Sequence, residues 1–372
     1  MTPMPCPSHW LRRALWLQRA LWHRSALACS VLFGLSACPT ETPPPPAPKS
    51  WTMTFEELPG ALFSAWGTSA SDVWLVGETW KKDAAGKVDP TGEPGVLHYD
   101  GKGWKRLHPG GAGTLWWVTG LGDDIWMAGS KGLILRYQRS TGKFQTLPTP
   151  SADQLFGIYP LAQDDVWAVG GVAGCGGESG AALWHWDGKA WAAESRVDAG
   201  AQDKVACWFK VWVRSKTDAF VVGNSGRALR WDGKTWKALA TGVERTLFTV
   251  HGNDKLAVAV GGFGTGALVE STGAGAFAPP ATLPKKMPQL NGVWVPPSGE
   301  AVAAGVGGSI WRRESGTWKE VADAPLASRE YHSVYMDPDG GVWAVGGQLS
   351  APPFIGGQLG HYGPTLPTKI VE

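Results

Sequence analysis

Several things are missing from these 372 residues, and each absence removes a class of function. No HExxH, GxSxG or P-loop pattern occurs, so zinc-protease, serine-hydrolase and P-loop phosphate chemistry have no carrier. An excess of one charge is missing too. Lys and Arg number 34 against 32 Asp and Glu, and residues 1–37 hold four arginines and no acid, so the remainder has a formal charge of −2. Nucleic-acid binding therefore has no electrostatic support. Cysteine is sparse, with five in all, and no amphipathic helical stretch is present. No apolar run reaches the ~20 residues that a membrane-spanning helix needs.

What is present begins with the amino terminus. Arg12, Arg13, Arg19 and Arg24 precede a short apolar run at 25–37, SALACSVLFGLSA, which ends in Leu35-Ser36-Ala37-Cys38. Small residues before a cysteine at the end of such a run resemble the lipobox of bacterial lipoproteins. The resemblance implies removal of residues 1–37 as a signal peptide, a diacylglyceryl thioether on Cys38, and acylation of the new amino terminus by a palmitate-type chain. An ordinary secretory signal with Cys38 incidental is the alternative. Residues 38–49, rich in proline, would form an extended tether. The expected location is a bacterial cell envelope, the outer membrane in preference to the inner, on its periplasmic or surface side.

Cys6 and Cys29 leave with the signal, and Cys38 is spoken for. Cys175 and Cys207 remain as an even pair in an oxidising compartment, and a disulfide is expected. Zinc is the competing use, but no histidine cluster accompanies them.

The body of the chain repeats itself. A short apolar run ending in glycine recurs as DVWLVG, DDIWMAG, DDVWAVGG, TDAFVVG, DKLAVAVG, GEAVAAG and GVWAVGG, closing at Gly77, Gly129, Gly170, Gly223, Gly261, Gly305 and Gly346. The spacing, 38 to 53 residues, is that of propeller blades. Before each run stands an apolar strand (LFSAWG, LWWVTG, LFGIYP, FKVWV, LFTVHG, LNGVWV, YHSVYM). After it comes a third strand, then in six copies a fourth that starts at an aromatic: Trp104, Phe144, Trp191, Trp236, Phe277 and Trp318. Runs such as VWLV are apolar on both faces, so each sheet must be covered on both sides. A closed ring does this without capping repeats.

We therefore expect an all-β fold, a seven-bladed β-propeller over residues 50–363, with 364–372 as a tail. The seventh copy lacks a fourth strand, yet residues 51–58 (WTMTFEEL) read like one. They are expected to complete the last blade and close the ring.

Asp232-Gly233-Lys234-Thr235-Trp236, Asp187-Gly188-Lys189-Ala190-Trp191 and Asp100-Gly101-Lys102-Gly103-Trp104 resemble the Asp-box (BNR) hairpin, each one residue short of the strict pattern. The chain thus resembles Trp-rich bacterial propellers related to the Asp-box and photosystem-assembly families. Blade 7, with Arg329, His332-Ser333 and Gly346-Gly347, also resembles a kelch repeat. The likeness implies architecture and leaves activity open.

Residues present in every copy cannot single out a site. The recurrent Asp residues are expected to accept turn N–H groups, and the Trp residues to fill the space between blades. Function is sought where copies differ: the long second-to-third-strand loops 78–95, 172–180 and 348–357, with link 194–206, all on the face we call the top. Trp80, Lys81, Lys82, Asp83 and Phe354 are the candidate binding patch, suited to a protein or glycan; a solvated insertion with one anchoring Trp is the plain structural alternative. Asp83 and Asp89 lack the further oxygens of a calcium loop. The first strands present Phe, Trp, Val and Leu, with His251, His332 and Tyr335 as the titratable residues. No catalytic residue, metal or cofactor is expected. The reading is a monomeric, membrane-tethered binding module for an envelope protein or polysaccharide, with no nucleic acid; an envelope glycosidase or lyase is the alternative.

Overall fold

Each copy folds into a small antiparallel sheet, and the first strands of successive sheets touch in cyclic order around one axis. These first strands are Leu62–Ser69, Leu115–Leu121, Gln154–Ala162, Trp208–Ser215, Leu247–Gly252, Leu290–Trp294 and Glu330–Met336. The computed structural model describes residues 49–172, 175, 180–202, 205–273, 275–284, 286–324 and 329–372. The apolar run 25–37, Cys38 and nearly all of the Pro-rich stretch lie outside the described residues, as do parts of 172–180 and 194–206. No described helix is long and apolar enough to cross a membrane.

The architecture is the expected seven-bladed, all-β propeller. Ser50–Leu58 pairs antiparallel with Gly357–Gly363, so the start of the domain supplies the outer strand of blade 7. The tail, in contrast, is more than a tail. Ile370–Val371 runs parallel to Trp104–Arg106 as a fifth strand on blade 1, Leu366 is buried, and Glu372 meets Arg106 at 3.2 Å. Ser50–Leu58 and Ile370–Val371 thereby each cover a sheet edge. Blade 5 also departs from expectation. Its fourth strand shrinks to one bridge between Glu270 and Ala278, because Pro279 and Pro280 follow at once and have no N–H to continue a ladder. Phe277 is still buried, packed edge-on against Phe220.

The second strands show why their apolar runs are unbroken. Val166 and Ala168 face the interface with blade 2, whereas Trp167 and Val169 face the interface with blade 4. Val73 and Leu75 likewise face blade 7, and Trp74 and Val76 face blade 2. Among the described residues, seven apolar clusters form, one at each blade-to-blade interface. A polar residue on either face of these strands would lie in one of them.

The recurrent Asp residues divide into two kinds. Asp100, Asp187 and Asp232 do accept turn N–H groups, two each, beside glycines whose φ values of 84°, 92° and 90° an L side chain disfavours. The Asp that opens a second strand instead bridges strands. Asp72 accepts from Trp74 Nε1 at 3.1 Å, His98 at 2.8 Å and, from blade 2, Arg139 at 2.7 Å. Burial pushes the Asp72 carboxyl up, but the bonds from His98 and Arg139 outweigh it and hold the group below the usual range. Asp124 pairs with Arg136, Asp165 with His185, and Asp218 with Arg214 and Arg230.

Candidate functional site

The glycine that ends each second strand has a geometric purpose, and it leads to the site. A Cβ on Gly77 would fall 2.0 Å from the Ala61 carbonyl oxygen; on Gly129, Gly170, Gly261, Gly305 and Gly346 the nearest carbonyl oxygen lies at 1.8 to 2.2 Å. The chain entering each first strand runs so close to this rung that no side chain fits there. Just past the rung every first strand carries a β-bulge: Leu62 pairs with Gly77 and Ser64 with Val76, leaving Phe63 unpaired, and the other six blades repeat this. A bulge turns an extra side chain out of the regular alternation.

The bulged residues are Phe63, Trp116, Phe156, Phe209, Phe248, Asn291 and His332. They gather around the top of the central channel, where they line a cavity of about 420 Å³. Five are aromatic and in ring-to-ring contact: Phe63 with Trp116 at 4.2 Å, Trp116 with Phe156 at 5.6 Å, Phe156 with Phe209 at 5.2 Å, and Phe209 with Phe248 at 5.4 Å. Two top-face loops add further rings. Phe354 packs edge-on against Phe63 and Trp116. Phe263 packs on Phe248, held out between Gly262 and Gly264, and is 70% exposed, the most open large apolar side chain described. The result is a cup of aromatic edges and faces, open to solvent at its rim.

Polar groups at the cup are few. Because of the bulge, the residue after Phe209 also faces the axis, and that residue is Lys210. Its Nζ donates to the Phe156 carbonyl at 2.6 Å and lies 3.3 Å from the centroid of the Trp117 ring. Gly157 makes this possible, since a Cβ there would stand 3.2 Å from Lys210 Cδ. Lys210 is buried, and burial pushes its amine well below the ordinary range. His332 donates from Nδ1 to the Phe63 carbonyl at 2.6 Å; burial, and then the nearby Lys210, lower its pKa to about 4. Glu330, at the start of its strand, stands at the rim, its carboxyl pushed up by burial. Among the described residues no group of three or more His, Cys, Asp or Glu is placed to hold a metal ion.

The structure does not unite the patch expected from sequence. Trp80 is half-buried against the blade 1 core, with the Arg106 guanidinium 4.7 Å from its ring centroid. Lys81 pairs with Asp89 at 2.8 Å, Lys82 bridges to Val88, and Asp83 accepts from the N–H groups of Ala85 and Lys87. The 78–95 insertion thus pairs Lys81 and Asp83 within itself and anchors its Trp, which is the plain structural alternative. Phe354 alone of the five reaches the cup. Lys210, in FKVWV, is a further titratable first-strand residue beside His251, His332 and Tyr335. The signal that finds the cup is the position after the residue opposite each repeated glycine, aromatic in five copies of seven.

The Cys175–Cys207 disulfide is formed, with a Cα separation of 5.4 Å. It ties the blade 3 top loop to the start of the blade 4 first strand, beside the bridge between Gly171 and Cys207.

No protein-family model matches the chain, and no curated protein sequence matches it. Solved structures do share its fold. YCF48 from Cyanidioschyzon merolae superposes with a TM-score of 0.60 at 18% identity, over 85% of this chain and 99% of that one. YCF48 bound to D1 peptide gives 0.56 at 15% identity, over 85% and 97%. Virginiamycin B lyase from Staphylococcus aureus gives 0.61 at 11% identity, over 85% and 100%. At these identities the likeness shows the β-propeller and leaves function to the site itself.

Proposed function

We propose that this chain is a binding module that takes an apolar segment of a protein partner into the aromatic cup at the top of its channel. The observation that carries the reading is the ring of five bulge-aimed aromatics around a cavity of about 420 Å³, with Phe263 held out at its rim. Phe63 is buried, but the other four rings are part-exposed and Phe263 is open, and solvent-facing rings are disfavoured unless a partner covers them. The solved structure of YCF48 with a D1 peptide is a precedent for peptide binding on this architecture. The lyase has the same architecture, so fold does not choose between binding and catalysis. The lining favours binding over glycan hydrolysis, since it contains one carboxylate, Glu330, among the described residues, whereas that hydrolysis ordinarily calls for a pair. The polysaccharide partner loses its support together with the Trp80 patch.

Within this reading the lipobox-like segment places the module on a bacterial envelope membrane through acylated Cys38, with the Pro-rich stretch as spacer. A photo-crosslinking residue placed at Phe263 in intact cells should capture a defined partner, and the same residue at Gly122 in a first hairpin turn should not. Equal capture from both positions would count against the cup. Membrane association that survives Cys38→Ser would remove the anchor.

A further inference from the structure

We infer that the group received by the cup is an apolar moiety ending in a carboxylate, with Lys210 as the residue that holds its negative end. This rests on reading the cup as a binding site, but holds whatever size of molecule carries the group.

The argument starts from what Lys210 lacks. A buried lysine is almost always paired with an acid, because removing its charge from water costs several kcal/mol. Arg136 and Arg214 follow that rule, each 2.6 Å from an aspartate. Lys210, only 3% exposed, has no carboxylate within ion-pair distance among the described residues. Its ammonium carries three N–H groups; the Phe156 carbonyl takes one, and the Trp117 face attracts the charge without accepting a conventional hydrogen bond.

None of the other neighbouring polar groups among the described residues accepts a hydrogen bond from it. The Thr249 hydroxyl donates to the Asn291 carbonyl, Asn291 Nδ2 donates to the Tyr331 carbonyl, and His332 Nδ1 donates to the Phe63 carbonyl. The Trp116 indole N–H, also in the lining, has no acceptor. The cup therefore has unused donors and an unpaired amine, surrounded by rings. A cation would meet the amine at close range, and a neutral apolar group would leave it unsatisfied. A phosphate would bring a second charge with no second cation in the lining. A monocarboxylate on an aryl or alkyl body matches both the charge and the walls. Glu330 at the rim opposes a carboxylate that stops there and so favours one that descends to Lys210.

Two sources share this chemistry, a free apolar acid and the carboxyl terminus of a chain ending in an apolar residue. The test titrates the purified full chain by calorimetry with 4-phenylbutyrate and its amide, and with a short peptide ending in Phe as free acid and as amide. At least one acid should bind ten-fold or more tightly than its amide. Lys210→Met, nearly volume-conserving and free of a buried charge, should fold, keep the amide's affinity and lose the preference. Preference for the free acid alone identifies a small ligand; preference for the peptide acid alone identifies a chain terminus. Acid and amide binding equally to the unaltered protein, or a preference that survives Lys210→Met, overturns the inference while the cup stands as a binding site. No binding of any probe, together with loss of crosslinking at position 263, overturns both.

Discussion

The two ends of the central channel are made by the same seven strands, yet their rings meet in different ways. Four residues past the rung, Trp212, His251, Trp294 and Tyr335 close the lower part of the channel on each other. His251 stacks on Trp294 at 4.0 Å, and Tyr335 meets Trp294 at 4.9 Å. At the upper end the rings gather around one shared cavity, whereas at the lower end Trp212, His251 and Trp294 border one groove of about 440 Å³ and Trp294 and Tyr335 another of about 460 Å³. All seven strands are bulged above, three carry a second register shift near the lower turn (Gly67/Ser69, Pro160/Ala162 and Val213/Ser215), and each upper bulge stands beside a glycine that lets the incoming chain press against it. The comparison teaches that aromatic content alone does not mark a site. Aromatics in register at the lower end behave as core; aromatics re-aimed by a bulge at the upper end form a surface.

That contrast can be broken at several points. The largest effect is expected from deleting Ser50–Leu58, which leaves blade 7 without its outer strand and the ring unclasped. The cooperative thermal transition should disappear, and an unchanged melting curve would show that closure lies elsewhere. Next, Trp212→Ala at the lower end should cost about 3–5 kcal/mol by denaturant unfolding. Phe209→Ala at the cup should cost less stability and most of the binding. If the two changes have the same profile, the proposed division between the ends fails.

Replacing Cys175 and Cys207 by serine should lower stability by about 3 kcal/mol in the chain-entropy account. Alkylation of the native protein without reductant should find neither thiol, and two free thiols by mass would refute the bond.

Acidification probes the channel histidines. Burial lowers His251 to about 3 and His332 to about 4, whereas both titrate near 6.5 in an unfolded chain. Between those values the unfolded state binds more protons, so stability falls as pH drops from about 6.5 towards 4. Each imidazole should contribute about 3 kcal/mol to that fall. His251→Gln with His332→Gln should reduce the slope of melting temperature against pH over this window, leaving the share of His361, which burial likewise lowers to about 4; an unaltered slope would mean that other groups carry it. The smallest stability effect is expected of Phe263→Ser, about 0.5 kcal/mol or less because the ring is mostly exposed. Its crosslinking and binding should nevertheless weaken.

Much of the scaffold was legible before any coordinates. The repeated glycines set the register, the two-sided apolar runs implied coverage on both faces, and residues 51–58 identified themselves as the missing strand. The cup was not legible for a specific reason. Alternation along a strand places Phe209 and Lys210 on opposite faces, and only the bulge between Trp208 and Lys210 brings both towards the axis. Trp80 misled in the other direction. A tryptophan beside two lysines reads as exposed, but exposure depends on what packs over it, here Arg106 from a strand beyond the loop.

Sequence alone determined the number of blades, their order and the way the ring closes, because those follow from a local repeat and from the apolar period within each copy. Tertiary structure alone decided which side chains meet at the axis. Phe63 and His332 stand 269 positions apart, and His332 bonds the Phe63 carbonyl only because seven blades complete a circle. A contact made by closure leaves no local trace in the chain. For that reason the unpaired amine of Lys210 becomes recognisable only when its neighbours from other blades are in place.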